Sequence, residues 1–484
     1  MNYKMVGRIV ALTLLVEAAF LLPPLALCLA DGEGGVALAF LASIGVILLA
    51  AGALWLLSRG RRPGFYAREG LVCVALCWVA MSLLGCLPFV FSGQIPNYID
   101  ALFEIVSGFT TTGSSILPEV ESLSRGILYW RSFSHWLGGM GVLVFLLALV
   151  PLASRSEGYA LHLMRAESPG PSVGKLVPRL KQTAAILYGI YFLLTVLNVA
   201  FLLVGGMPWF DALCTAYGTA GTGGFATRND SMASFSPYLQ NVCTVFMMLF
   251  GVNFGCYYLL LLRRFADFFG DEEVRLYFGI AAGSTVLIAL NLRGRYATVE
   301  ETVRHAAFQV SSIMTTTGFA STDFDRWPSF SKSILLCLMI VGACAGSTGG
   351  GLKCSRVLLL GKTLRRDLLQ LLHPRRVQAV RINGRAVDER IVAQTNAYLA
   401  VYVLIAAVSF MLVSLDGFSL TTNFSAVLSC FNNIGPGLDS VGPAANFGGY
   451  SALSKLVLIF DMLAGRLEIF PMLALFSPTA WWRG

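Results

Sequence analysis

Long apolar runs alternate with short polar stretches along the whole chain. A membrane-crossing helix needs about 20 mostly apolar residues, and runs of that kind lie near 6–30, 36–58, 70–91, 127–150, 183–204, 236–262, 274–292, 331–372, 392–415 and 449–476. The eighth is interrupted at its centre. Four shorter apolar pieces, near 98–109, 209–220, 303–314 and 420–431, sit between alternate runs. They are too short to cross but long enough for re-entrant half-helices, which a bilayer tolerates only where their ends are buried in protein or line a watery cavity. The pattern predicts an all-α polytopic membrane protein of ten spans. No small-residue cleavage site follows the first run, which reads as a retained span rather than a signal peptide.

Composition agrees. Of 484 residues, 56% are hydrophobic and 13% charged, where soluble domains carry about 25% charge. Mean hydropathy is +0.70. The net charge of +8 is scattered through short loops rather than gathered on one face, which argues against nucleic-acid binding and makes the excess topological. Lys4, Arg8, Arg59, Arg61, Arg62 and Arg68, then Arg155, Arg165, Lys175, Arg179 and Lys181, then Arg263 and Arg264, then Arg365, Arg366, Arg375, Arg376, Arg381, Arg385 and Arg390 place both termini in the cytoplasm. Arg293, Arg295 and Arg304 run against this scheme. Acidic residues, among them Glu119, Glu121, Asp230, Asp323, Asp325 and Asp439, collect outside. They either raise the local cation concentration or are ordinary solvated loop residues. The 11 cysteines lie mostly inside apolar runs, where a thiol packs as a small hydrophobe; no disulfide or metal site is expected.

The strongest signal is internal repetition. After each short apolar piece come Thr110-Thr111-Thr112-Gly113, Gly221-Thr222-Gly223-Gly224, Thr315-Thr316-Thr317-Gly318 and Asn432-Asn433-Ile434-Gly435. Asp100-Ala101-Leu102 begins 13 residues before Gly113, as Asp211-Ala212-Leu213 does before Gly224; Phe103 precedes Gly113 by 10, as Phe308 precedes Gly318. In the second copy Gly223 fits a local match nearly as well as Gly224. Each unit reads helix, half-helix, glycine-containing loop, helix, and four units in one chain imply a pseudo-fourfold axis. Loops of this kind can turn successive carbonyls inward to replace a cation's hydration shell, with the negative C-terminal ends of the half-helices aimed at the same place. The candidate ligands are Thr111, Thr112, Gly113, Thr222, Gly223, Gly224, Thr316, Thr317, Gly318, Asn433, Ile434 and Gly435. The units divide as two extra N-terminal helices over 1–69 and pore repeats over 70–180, 181–272, 273–391 and 392–484.

The eighth run is broken by Ala343-Cys344-Ala345-Gly346-Ser347-Thr348-Gly349-Gly350-Gly351. Each glycine weakens a helix by roughly 1 kcal/mol relative to Ala, so this stretch should leave the helix and line the cavity below the loops. It is either a gate or a static helix break. Arg466 lies within the last span, where a charge facing lipid costs about 2.5–3.5 kcal/mol; it approaches the loop carbonyls, pairs with Glu468, or ties helices together. Lys353 follows the loop and can reach the interface. The spacing of Gly346 and Gly351, and the Gly361-Lys362-Thr363 ending, each fail the full phosphate-loop pattern, so nucleotide is expected on a partner. The histidines, His135, His162, His305 and His373, are dispersed, and no nucleophile has a plausible base. An enzyme is not expected.

At these residues the sequence resembles the superfamily of K⁺ transporters comprising Trk, Ktr and plant HKT proteins, specifically the TrkH-type membrane subunit. The similarity spans essentially the whole chain and includes both Thr-Thr-Thr-Gly stretches, Gly-Gly-Phe at 223–225, Asn-Asn-Ile-Gly-Pro-Gly at 432–437, Ala-Gly-Ser-Thr-Gly-Gly-Gly at 345–351 and Ala-Gly-Arg-Leu-Glu-Ile-Phe-Pro at 464–471. The resemblance implies K⁺ as the transported ion, no organic cofactor in this chain, and a homodimer in the bacterial inner membrane under a cytoplasmic TrkA-type nucleotide-binding ring. It further implies that Gly346, Ser347, Thr348, Gly349, Gly350, Gly351 and Lys353 belong to a movable loop within 343–353, with Arg466 as a barrier. Glycine in all four loops is similar to the K⁺-selective pattern; Na⁺-preferring HKT proteins carry Ser in the first. A proton- or Na⁺-coupled symporter on the same scaffold is the alternative.

Overall fold

The computed structural model describes residues 1–60, 66–139, 141, 180–375 and 378–481. Arg61, Arg62, Met140, Arg155, His162, Arg165, Lys175, Arg179 and Arg376 lie outside these residues, as does most of the predicted span beyond Gly139. Two N-terminal membrane helices, Tyr3–Ala30 and Gly34–Leu57, pack against each other and against the first unit. The first is interrupted at Leu21, ahead of Pro23 and Pro24, because proline cannot continue the hydrogen-bond ladder. Among the described residues, six helices are long and apolar enough to cross a membrane, or seven if the bent pair Pro237–Phe250 and Phe254–Leu261 is one span. The other three predicted spans are the one described only to Gly139 and two that break into shorter helices: Ser329–Val341 with Cys354–Leu372, and Ala452–Arg466 with Phe470–Phe476. Phe192 and Leu193, Val286 and Leu290, and Leu404 and Met411 are exposed on the outward helices of the second, third and fourth units, as lipid-facing surfaces require.

The half-helices are Tyr98–Phe109, Trp209–Gly221, Val299–Met314 and Leu420–Phe431. Three carry side-chain N-caps: Asn97 accepts from the Ile99 N–H, Thr298 from Glu301 and Ser419 from Thr422, satisfying backbone donors that would otherwise be orphaned. The third begins four residues before the predicted apolar piece, because Thr298 starts the helix with the polar turn Glu300–Glu301.

Two features were not anticipated. The predicted span over 236–262 turns by 91° between Phe250 and Phe254, where Asn253 caps the second segment; the Gly251 carbonyl freed by the turn accepts from Cys344 N–H, and Phe254 N–H donates to the Gly346 carbonyl. The break thus seats the glycine-rich loop. The chain also forms a two-stranded hairpin, Arg381–Ile382 against Arg385–Ala386, with Arg381 opposite Ala386. Its Asn383-Gly384 turn has φ of 51° and 75°, the backbone that Asn-Gly favours in a tight hairpin.

Candidate functional site

The four half-helices end alike. Thr111, Thr222, Thr316 and Asn433 take left-handed backbone, with φ of 56°, 56°, 57° and 56°. The next N–H returns to the half-helix, Thr112 to Ser107, Gly223 to Gly218, Thr317 to Ser312 and Ile434 to Ser429, at 2.8–3.0 Å. This is the glycine-type helix stop built with Thr or Asn, at about 1–3 kcal/mol of strain for each such residue. Two residues further on, Gly113, Gly224, Gly318 and Gly435 are again left-handed, with φ of 82°, 77°, 84° and 104°. The repeated torsions align Gly224 with the other three.

These glycines close a ring. A Cβ placed on Gly113 would fall on the Gly223 carbonyl oxygen, one on Gly224 on that of Thr317, one on Gly318 on that of Ile434, and one on Gly435 would lie 2.9 Å from that of Thr112. Each loop therefore abuts the next, and the fourth returns to the first. The fourth junction is the loosest, and its Asn433 side chain is turned sideways, donating to Thr112 Oγ1 (3.0 Å) and the Met462 carbonyl (2.9 Å). Residues beyond the glycines line a cavity of ≈130 Å³ that also takes in Arg131 and Arg228. Several outer carboxylates serve local structure. Asp439 accepts from Ser419 Oγ (2.5 Å) and Thr422 Oγ1 (2.7 Å), and these hydroxyls hold its carboxyl below the usual range.

On the opposite side of the ring, residues 342–353 leave helical structure between Val341 and Cys354. Gly350 N–H donates to Thr316 Oγ1 at 2.7 Å, and a Cβ on Gly349 would come within 2.9 Å of the Thr315 carbonyl. Gly351 is left-handed and packs on Gly342. Gly346 and Ser347 stand apart from the ring, beside Asn253 and Cys344 respectively. Thr348 Oγ1 bonds the Phe250 carbonyl (3.2 Å). Lys353 Nζ reaches back to the Gly349 carbonyl. Arg466 donates to the carbonyls of Thr348 (2.7 Å), Gly139 (2.7 Å) and Gly138. Of the contacts expected of Arg466, both the loop carbonyl and the tie to another helix are formed, the latter to Arg125–Gly139, while Glu468 pairs with Arg356.

A family model described as TrkH, cation transport protein, matches residues 38–481. The chain belongs to the TrkH family. Trk system potassium uptake protein TrkH of Salmonella typhimurium is 38% identical, covering 99% of this chain and 100% of that protein. Trk system potassium uptake protein TrkG of Escherichia coli is 32% identical, covering 95% of each chain. The crystal structure of the potassium transporter TrkH from Vibrio parahaemolyticus superposes with a TM-score of 0.88 at 32% identity, covering 100% of both chains. TrkH-family proteins are cation transporters, not enzymes, and this chain is a multi-span membrane protein of that family.

Sequence reasoning missed a group that this TrkH-family chain places behind the first loop. Glu104, on the first half-helix, accepts from Arg131 Nε (2.8 Å), Ser115 Oγ (3.0 Å) and Ile116 N–H (3.0 Å). The Arg131 guanidinium lies 4.1 Å from the centre of the Phe225 ring. One turn along, His135 Nε2 accepts from Phe225 N–H (3.2 Å), so its Nδ1 is the nitrogen that donates to the Gly108 carbonyl (2.8 Å). Arg131 and His135 together tie the first half-helix to the residue after Gly224. Two opposite charges inside neighbouring apolar pieces were the available clue. His135→Phe should keep the ring's bulk while removing both hydrogen bonds; a lower K⁺ flux than the native protein in liposomes, with similar expression, is the expected outcome.

Proposed function

We propose that this chain takes up K⁺ across the bacterial inner membrane through a selectivity filter made by the four loops. The closed ring of Gly113, Gly224, Gly318 and Gly435 carries this reading. Loops that abut around one axis, each entered from the C-terminal end of a half-helix, bring main-chain oxygens and negative dipole ends to a common point, and these stabilise a desolvated monovalent cation. The relatives, named as potassium uptake proteins, supply K⁺ as the ion.

The loop at 342–353 acts as the gate, with Arg466 as its barrier. Its inner end bonds a filter threonine, and Arg466 fixes it to the end of the Arg125–Gly139 helix, so a guanidinium stands where a cation leaving the ring would pass. Both termini are cytoplasmic in this reading, the loop faces the cytoplasm, and a TrkA-type nucleotide-binding ring regulates a homodimer of the chain.

Purified protein in sealed liposomes tests the function directly. Downhill K⁺ flux that exceeds Na⁺ flux and persists without a pH or Na⁺ gradient is expected; flux that requires either gradient would establish the symporter instead. Arg466→Gln removes the positive charge and is expected to raise K⁺ flux about tenfold, the effect of about 1.4 kcal/mol in a barrier. Unchanged flux in a folded variant would remove Arg466 from the pathway.

A further inference from the structure

Besides the bonds to residues 250–254 and Arg466, one buried carboxylate outside the ring ties down both sides of the loop. Glu273 Oε1 accepts from Ala345 N–H at 2.7 Å and from Ser355 N–H at 2.9 Å. Ala345 lies near the start of the loop and Ser355 just past its end, so one oxygen ties its entrance to its exit. The carboxyl group is buried, and a buried N–H that loses such an acceptor is left unpaired at a cost. Moving either end of the loop breaks at least one of the two bonds.

Glu273 belongs to the first turn of Glu272–Asn291, and that same turn is gripped by the hairpin. Asp271 caps the helix through Oδ1, accepting from Glu273 N–H (2.9 Å) and Val274 N–H (3.1 Å). Its other oxygen accepts from Asn383 Nδ2 at 2.7 Å. Asn383 Oδ1 in turn accepts from Glu272 N–H at 2.9 Å. Lys362, on the helix that follows the loop, donates to the Glu272 carboxylate and to the Arg381 carbonyl. The hairpin is seated on that helix and the next through Val380, Leu359 and Val392. A continuous set of bonds therefore runs from an exposed turn, through Asn383, Asp271 and Glu273, to the two ends of the loop and on to Thr316 in the ring.

We propose that Glu273 and Asn383 are positioning residues of a latch, by which the hairpin at 381–386 holds the intramembrane loop beneath the ring and releases it when the turn is displaced. This rests on the loop being the obstruction. The loop has two discrete arrangements available, seated or released, and every bond in the latch belongs to the seated one, so weakening any of them shifts the population toward release.

The test is K⁺ flux from liposomes holding the full chain as Asn383→Gly, Glu273→Ala, the double variant, or Arg466→Gln. Asn383→Gly keeps the left-handed turn, which glycine adopts freely, and deletes both side-chain bonds at an exposed site, so folding is not at stake. Each single change is expected to raise flux roughly three- to tenfold, as loss of about one hydrogen bond from the seated state would. The double variant should exceed the larger single effect by little, because both act on one route, and the K⁺ to Na⁺ ratio should stay native. If Arg466→Gln raises flux while Asn383→Gly and Glu273→Ala remain native, the loop obstructs but this latch does not hold it. If all three remain native, the obstruction reading itself fails and the latch with it. A changed ion ratio in Asn383→Gly would also overturn the proposal, since the latch acts on the loop alone.

Discussion

Replacing Gly113 by Ser should cost this protein its preference for K⁺ over Na⁺, by at least about tenfold in relative uptake, while leaving the chain folded and in the membrane. Left-handed backbone is unfavourable for a residue with a Cβ by roughly 1–2 kcal/mol, and at Gly113 that Cβ would also land on the Gly223 carbonyl oxygen. The carbonyl cannot yield freely, because the second loop is itself wedged against the third and the third against the fourth. The disturbance is therefore expected to reach the whole ring. Ser at Gly224 or Gly318 should behave alike, whereas Gly435→Ser should be the mildest of the four, its Cβ meeting the Thr112 oxygen at 2.9 Å. K⁺ and Na⁺ uptake measured side by side in liposomes gives the ranking. Native selectivity in Gly113→Ser, or the largest loss at Gly435, would contradict the ring as the seat of selectivity.

The second large effect concerns stability. Arg131 and Glu104 are 2% and 0% exposed in their side chains. A buried pair adds little net stability while intact, but removing one partner strands the other's charge and costs about 3–5 kcal/mol. Arg131→Met should lower the thermal midpoint in detergent sharply. Glu104→Gln with Arg131→Met leaves no stranded charge, so the double variant should be more stable than Arg131→Met alone. A double variant at least as unstable as that single would show that the bulk of Arg131 against Phe225, and not its charge, is what the site needs. Because Glu104 also fixes Ser115 and Ile116, just past Gly113, the double variant, which alters that carboxylate, should lose some K⁺ preference even where it folds.

The half-helices were legible because two local signals coincide in each: an apolar piece too short to cross, and a Thr- or Gly-rich end. Their starts were less so, since Thr298 begins its helix with charged residues that an apolar-run criterion passes over. The choice between Gly223 and Gly224 needed torsion angles, for only the alternation of left-handed Thr222 and Gly224 matches the other loops. The turn at 251–253 had no signal of its own: Gly251-Val252-Asn253 bends because residues 344–346, nearly a hundred positions away, supply its hydrogen bonds. Glu273 was invisible for the same reason. On sequence it is one of three acids opening a helix, and its partners, Ala345 and Ser355, offer only backbone. Contacts made by main chain across long separations leave no mark in residue types, which is why the ring's composition could be read and its supports could not.

A ring assembled from four unlike loops of one polypeptide differs from one made of identical subunits in how it can be altered. In a homotetramer any substitution strikes four times. Here each quadrant mutates by itself, so a filter built on this ring, as proposed, would be adjusted in quarter steps, and the loose fourth junction with its sideways Asn433 is a quadrant already set apart from its neighbours.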